Sequence, residues 1–255
     1  MFVLLTNDDG ISAEGIQALV AEFSRHHEIA VAAPDRERSA SGHAITMDRP
    51  LRARPVEQIG LAWAISGTPG DCVKLALSTL LPKRPDLIVS GVNRGPNMGI
   101  DVFYSGTVAA ALEGLLNGVP AVAVSLASYA ADLDYAVAAR VARSVAERLY
   151  QKSALSRTLL NVNVPYLPQE KIKGVRITRL ASQHYQTAFE ARQDPRGHTY
   201  YWLVGEPLPE VGAGEDTDIA AVANGFVSIT PLGLDLTDFD RLNELRSWSR
   251  NTGVL

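Results

Sequence analysis

Short uninterrupted apolar runs recur along the first two-thirds of the chain, each followed by a polar loop and then by apolar residues at helical spacing. Phe2-Val3-Leu4-Leu5, Ile29-Ala30-Val31-Ala32-Ala33, Leu87-Ile88-Val89 and Ala121-Val122-Ala123-Val124 are such runs. Continuous apolar strands are those buried on both faces of a parallel sheet. Leu61–Ile65 and Leu159–Val164 read as two further strands, and Ile45–Arg54 as an extended stretch. Between them, Ile16, Leu19, Val20 and Phe23 predict a helix, and Thr68-Pro69 opens another through about Leu81. Pro69 stands near the first turn, where a missing N–H does no harm. Ser105-Gly106-Thr107 opens a helix from Val108 to Leu116, and Val137, Val141, Val145 and Leu149 form one stripe of a helix over 134–149. Repeated βα units predict an α/β fold: a Rossmann-like three-layer sandwich around a mostly parallel sheet with right-handed crossovers.

The last third has a different rhythm. Gly174–Leu180 and Tyr200–Val204 read as strands, separated by a polar stretch containing Asp194-Pro195-Arg196-Gly197. Long excursions from a compact α/β domain are often lids or partner-binding arms. Phe226–Pro231 predicts a late strand, and Phe239, Leu242, Leu245 and Trp248 a terminal helix. The expected organisation is a catalytic core over 1–172 and a C-terminal segment over 173–255. That segment would hold a protruding β-hairpin arm and a terminal helix packing back on the core.

Composition narrows the class. The 255 residues are 46% apolar and 20% charged, as in an ordinary soluble domain. Cys72 is the only cysteine, which excludes an intrachain disulfide framework and a cysteine-based zinc cluster. No run is long and apolar enough for a membrane span, and no signal-peptide pattern is present, so the expected setting is cytoplasmic, without a membrane partner. The net charge of −4 argues against a nucleic-acid polymer as partner. It leaves room for a small phosphorylated substrate held through a metal and backbone amides.

Candidate chemistry gathers where strands should end. Asn7-Asp8-Asp9-Gly10 follows the first strand, at the sheet edge where open α/β folds place ligands. Adjacent carboxylates repel unless a cation lies between them. The competing reading is a cap on the helix starting near Ser12. Three other segments would meet the pair: Pro34 to Gly42, Ser90 to Gly99, and Ser105-Gly106-Thr107. The second lacks both the P-loop ending and the dinucleotide spacing. The third offers a helix N-terminus and two hydroxyls for phosphate, although a plain N-cap fits it equally well. Ser66-Gly67-Thr68-Pro69 resembles it, but Pro69 removes a donor and favours a structural role. Ser39 and Ser41 near His43 lack the Gly-x-Ser-x-Gly elbow of a nucleophilic serine. The histidines show no paired metal spacing.

Taken in order, Asn7-Asp8-Asp9-Gly10, Pro34-Asp35-Arg36-x-Arg38-Ser39, Ser66-Gly67-Thr68-Pro69-x-Asp71-Cys72-Val73, Ser90 to Asn97 and Tyr104 to Ala109 resemble the SurE family. Asn161 to Pro165 and Gly225 to Leu232 extend the resemblance over nearly the whole chain. Members are stationary-phase survival proteins acting as metal-dependent 5′/3′-nucleotidases. The resemblance implies Asp8, Asp9, Ser39 and Asn93 as ligands of one divalent ion per subunit, and Asn97, Ser105, Gly106 and Thr107 as the phosphate site. An all-oxygen donor set suits Mg²⁺ or Mn²⁺ better than zinc. Asp8 and Asp9 would also be the catalytic residues. The implied reaction is hydrolysis of a nucleoside monophosphate. The implied assembly is a homodimer or homotetramer exchanging the hairpin. Glu215-Asp216-Thr217-Asp218 departs from the family's Glu-Gly-Thr-Asp, away from the metal motif. Two other readings are a metal-dependent nucleotide-binding regulator without turnover and a dinucleotide-dependent oxidoreductase. The second lacks its Gly-x-Gly-x-x-Gly turn.

Overall fold

The computed structural model describes residues 1–152, 157–182, 188–204, 214–246 and 248. In chain order the first half holds β1 (Phe2–Thr6), α1 (Glu14–Phe23), β2 (Glu28–Pro34), β3 (Ala53–Pro55), β4 (Ala62–Ile65), α2 (Pro69–Leu75), β5 (Leu87–Arg94) and α3 (Gly106–Leu116). The second half holds β6 (Ala121–Ala127), α4 (Ala136–Gln151), β7 (Leu159–Pro165), β8 (Val175–Ile177), β9 (Ala188–Gln193), β10 (Thr199–Val204), α5 (Asp218–Ala223), β11 (Val227–Leu232) and α6 (Phe239–Leu245).

The continuous apolar runs form a sheet covered on both faces. In β1, Val3 and Leu5 pack with Ile16, Leu19 and Phe23 of α1 and Ala142 and Val145 of α4. Phe2 and Leu4 point the other way, into a core with Val73 of α2 and Val108, Ala111 and Leu115 of α3. Each fully buried Leu contributes about 1.5–3 kcal/mol through removal from water. The result is the expected three-layer sandwich.

Among the described residues the main sheet has the order β3-β4-β2-β1-β5-β6-β7-β11-β8. It is parallel from β4 to β7, with antiparallel pairings of β3 to β4 and of β11 to β7. The chain steps outward from β1 to β2 and later returns to pair β5 on the other side of β1. That reversal opens a crevice beyond the carboxyl ends of β1 and β5, the place where such sheets bind ligands.

Several elements differ from the sequence expectation. β5 runs on to Arg94 instead of ending at Val89, and its register with β6 shifts between Ser90 and Asn93. Such an irregularity re-aims the residues beyond it. The second predicted helix keeps α geometry only to Leu75 and finishes with a π turn over Ala76–Leu80. Of the extended stretch 45–54, only its end forms a strand. Gly174–Leu180 contributes a three-residue strand to the main sheet, beside β11. Residues after 172 therefore complete the core sheet.

The arm is built differently from the expected pairing. β9 lies inside the stretch read as a polar connection and pairs antiparallel with β10 around a turn at Asp194–Gly197. Phe189, Tyr201, Trp202 and Leu203 on this ribbon are exposed. The terminal helix forms, with the Asp238 carboxylate accepting the Arg241 N–H as N-cap. None of its residues is buried.

Candidate functional site

The Asp8-Asp9 pair was open to two readings, and α1 decides between them. That helix starts at Glu14 with Ala13 as N-cap and no side-chain cap, so neither carboxylate caps it. Asp8 instead reaches across the crevice to the start of α3. It is buried, and its Oδ1 accepts the Thr107 hydroxyl. A Cβ on Gly106 would lie 2.7 Å from Asp8 Cβ, so only glycine lets the helix come this close. Burial pushes the Asp8 carboxyl above its ordinary value, against the opposing hydrogen bond from Thr107.

Asp9 is half-buried beside Asp8, in the turn that leaves β1. Burial and then the charge of neighbouring Asp8 push its carboxyl up to about 7. Both shifts express the same fact: two carboxylates lie side by side in poor solvent, with a cationic partner wanting. The third carboxylate nearby is Glu37, whose charge adds to the shift of both.

The remaining proposed ligands are held by backbone. Arg38 N–H donates to the Asp8 carbonyl (2.7 Å), and Ile11 N–H to the Pro34 carbonyl (2.9 Å). Gly10, at φ 98°, lets the turn pass close to the Arg36 backbone. These contacts dock the loop after β2 onto the β1 turn and place Ser39 one residue from the Asp8 contact. The Ser39 hydroxyl donates to Glu37 Oε1 (2.7 Å), which leaves its lone pairs to face a ligand. Asn93 stands past the register shift of β5. Its amide nitrogen donates to the Gly95 carbonyl (2.9 Å) and the Arg94 carbonyl (3.2 Å). Both donor hydrogens are thus engaged, and its amide oxygen is the group left for a cation. No three His, Cys, Asp or Glu side chains among the described residues converge closely enough to hold a metal ion by themselves. The donor set is two carboxylates, a hydroxyl and an amide oxygen, chemistry that fits a hard divalent ion.

The predicted phosphate residues have two distinct placements. Ser105 is the N-cap of α3, its hydroxyl accepting the Val108 N–H (3.1 Å), and Thr107 holds Asp8. Their hydroxyls therefore serve the helix and the carboxylate, and the first-turn amides remain the natural anion donors. Asn97 lies farther along the sheet edge, over β6 and β7. Its amide nitrogen donates to Ser125 Oγ (2.8 Å), and its peptide is gripped by Asn161 and Asn163. The structural reading of Ser66–Pro69 also holds. Thr68 and Asp71 form a reciprocal capping box, and Asp71 further accepts the Thr46 hydroxyl (2.6 Å), fixing the loop after Ser39.

Sequence reasoning passed over Asn161, Asn163 and Asp218. The signal was present in β7: two asparagines at alternate positions of an otherwise apolar strand face one side of a buried sheet. Buried amides need partners. Asp218, fully buried, accepts the Gly99 N–H (2.9 Å) and the Ala181 N–H (3.0 Å), pinning the far end of the Asn97 loop.

Comparison with known proteins shows the family. The family profile described as Survival protein SurE matches residues 3–187. A protein from Syntrophomonas wolfei named 5′-nucleotidase SurE is 51% identical, covering 96% of this chain and 94% of its own. Its counterpart of the same name from Symbiobacterium thermophilum is also 51% identical, with 97% and 98% covered. The crystal structure of the Sure protein from Aquifex aeolicus superposes with a TM-score of 0.84 at 38% identity, covering 98% of this chain and 100% of that one. With strand-end loops, carboxylate pair and helix N-terminus placed as described, the chain belongs to the SurE family.

Proposed function

We propose that this protein is a divalent-metal-dependent nucleotidase that hydrolyses nucleoside 5′-monophosphates, and 3′-monophosphates as a second class, to nucleoside and phosphate. The observation that carries the reading is the seat of buried Asp8 at the N-terminus of α3, with Asp9 next to it in the chain. A phosphate approaching those amides would meet buried carboxylate charge, so the site is coherent only with a cation between the two. Asp8, Asp9, Ser39 and Asn93 would hold that ion, Mg²⁺ or Mn²⁺, one per subunit. Bound there, it would supply positive charge beside the phosphoryl group and polarise the attacking water.

The chain's own groups do the rest. Thr107 fixes the orientation of Asp8. Either carboxylate is placed to take the proton released by the attacking water. The amides of Gly106 and Thr107, with Asn97 across the crevice, would carry the equatorial phosphoryl oxygens. Positioning and charge stabilisation are most of what phosphoryl transfer asks of a protein. Asp9→Asn or Asp8→Asn should abolish phosphate release from a nucleotide panel assayed with Mg²⁺ or Mn²⁺. Most of the activity surviving in both variants would sink the reading. A regulator that binds nucleotide without turnover uses the same groups, and the same panel separates it, since it would bind and release no phosphate.

The names of the relatives, with their near-complete coverage, support the substrate class. A homodimer or homotetramer with exchanged hairpins goes with the exposed ribbon of β9 and β10, and light scattering at micromolar concentration tests it. No helix among the described residues is long and apolar enough to cross a membrane. A cytoplasmic setting, with its nucleotide pool, goes with the proposed substrate.

A further inference from the structure

The crevice has two ends, and they are held by different groups. Asp8 is held by Thr107 of α3 and Ser39 by Glu37, while backbone contacts of the loops around β1, β2 and β5 place them with Asp9 and Asn93. Asn97 is fixed by side chains of β6 and β7. Asn163 Oδ1 accepts the Asn97 N–H at 2.9 Å while its Nδ2 donates to the Asn97 carbonyl at 3.0 Å. A single carboxamide thus satisfies both backbone groups of one residue, as a neighbouring strand would. Asn161 Nδ2 donates to the same carbonyl at 2.8 Å. The Asn97 amide nitrogen donates to Ser125 Oγ, and Ser125 stands beside Asn163 in the β6–β7 register. All four residues are buried.

We propose that Asn163, assisted by Asn161 and Ser125, is a positioning residue that sets the Asn97 loop for phosphate without touching the metal ligands. The proposal deepens the nucleotidase reading and rests on it. The chemistry is specific. With Asn97 backbone and side chain both tied down, one of the two amide hydrogens is held on Ser125 and the other is left at a fixed place for a phosphate oxygen. Within the network only Ser125 borders a proposed metal ligand, standing beside Asn93 in the β5–β6 backbone register. Among the described residues no side-chain hydrogen bond runs from it to Asn93 or the Asp8-Asp9 turn, so the two ends of the site should respond separately to side-chain substitution.

Asn163→Asp tests this in the full-length protein. The carboxylate keeps an acceptor for the Asn97 N–H but sets an oxygen against the Asn97 carbonyl. KM for a nucleoside monophosphate and the inhibition constant of inorganic phosphate should both rise by about tenfold or more, as expected of a displaced binding group. The Mn²⁺ concentration for half-activation should stay within about twofold, because its ligands are fixed by other contacts. Unchanged phosphate inhibition, or a shift in Mn²⁺ activation equal to the shift in KM, overturns the proposal. If Asn163→Asp does not melt cooperatively, Ser125→Ala carries the test, and unchanged phosphate inhibition there overturns it. Calorimetric titration with inorganic phosphate needs no turnover. A wild type that hydrolyses no nucleotide refutes the nucleotidase reading. Weaker phosphate binding by Asn163→Asp would still support the positioning role, and equal or absent binding in both proteins would end it.

Discussion

The crevice at the β1 and β5 ends and the ribbon of β9 and β10 are built on opposite terms. In the crevice, buried polar side chains are held by groups of the same chain: Asp8 by Thr107, Asn97 by Asn163 and Ser125, Asp218 by Gly99 and Ala181. In the ribbon, Phe189, Tyr201, Trp202 and Leu203 are exposed, and among the described residues the two strands pair only with each other. A lone two-stranded hairpin is at best marginally stable in water. The lesson is that one chain finishes its active crevice internally but leaves its arm unfinished. Function at the first should therefore be sensitive to single atoms, and function at the second to a partner.

The largest effect belongs to the carboxylates. Asp9→Asn should lower phosphate release by about a thousandfold or more, the scale of several kcal/mol of lost charge stabilisation. The same change relieves a crowded, buried pair of charges, so the metal-free variant should melt no lower than the wild type. Adding Mn²⁺ should raise the melting temperature of the wild type and leave that of Asp9→Asn unmoved, since a ligand stabilises only the state that binds it. Equal stabilisation of both would break the assignment of Asp9.

Next comes a glycine from each region. Gly106→Ala brings a Cβ to 2.7 Å from Asp8 Cβ, so either α3 or the carboxylate must move. Activity should fall by about a hundredfold, the cost of misplacing a reacting group by roughly 1 Å. Gly197→Ala, in the hairpin turn at φ 82° with no atom within 4 Å, meets only backbone strain of about 1–2 kcal/mol. Its turnover should match the wild type. Turnover loss in Gly197→Ala, or none in Gly106→Ala, would erase the distinction between the regions.

The hairpin has its own test. Trp202→Asp places a charge on the exposed aromatic ribbon. The mass measured by light scattering should drop, while the melting temperature of the core falls little. An unchanged mass would remove the ribbon from the assembly interface.

Legibility in the sequence divides along the same line. Apolar runs report burial, and the strands of the core, buried on both faces, could be read almost residue by residue. The carboxylate pair stood out because strand ends in a parallel sheet converge, whereas Asn93 as a ligand came with the resemblance to the family. Burial patterning is silent where nothing is buried. β9 carries Ala-Phe-Glu-Ala-Arg-Gln and lies open to solvent, so its pairing with β10 left no apolar signature. The spacing of Phe239, Leu242 and Leu245 gave a helix correctly but could not say against what it packs. In β5 the apolar run stops before the strand does, because Ser90 to Arg94 trade core packing for the re-aimed edge of the crevice. Asn161 and Asn163 were visible as polar interruptions, but their partner is a loop sixty-odd residues away, which a single sequence does not pair with them.

The smallest effect concerns acid stability, and it again separates the two regions. Glu113, buried on α3, would have its carboxyl raised by burial, but hydrogen bonds from His43, Lys74 and Asn117 outweigh that and hold it below its ordinary 4.5. A depressed carboxyl binds fewer protons folded than unfolded, so its contribution is full above 4.5 and is lost as pH falls through the lower folded value. Glu113→Gln should therefore flatten the fall in melting temperature below pH 4.5, after a loss of about 1 kcal/mol at neutral pH from weakened hydrogen bonds. Asp194, partly exposed in the hairpin turn, is also held below its ordinary value, first by the His198 N–H and then by that of Arg196. Its ribbon shares no sheet with the core, so Asp194→Asn should leave the acid limb of the core transition where it is. Equal flattening by both variants would mean that ribbon and core melt as one unit, and the contrast between the two regions would then hold for function but not for stability.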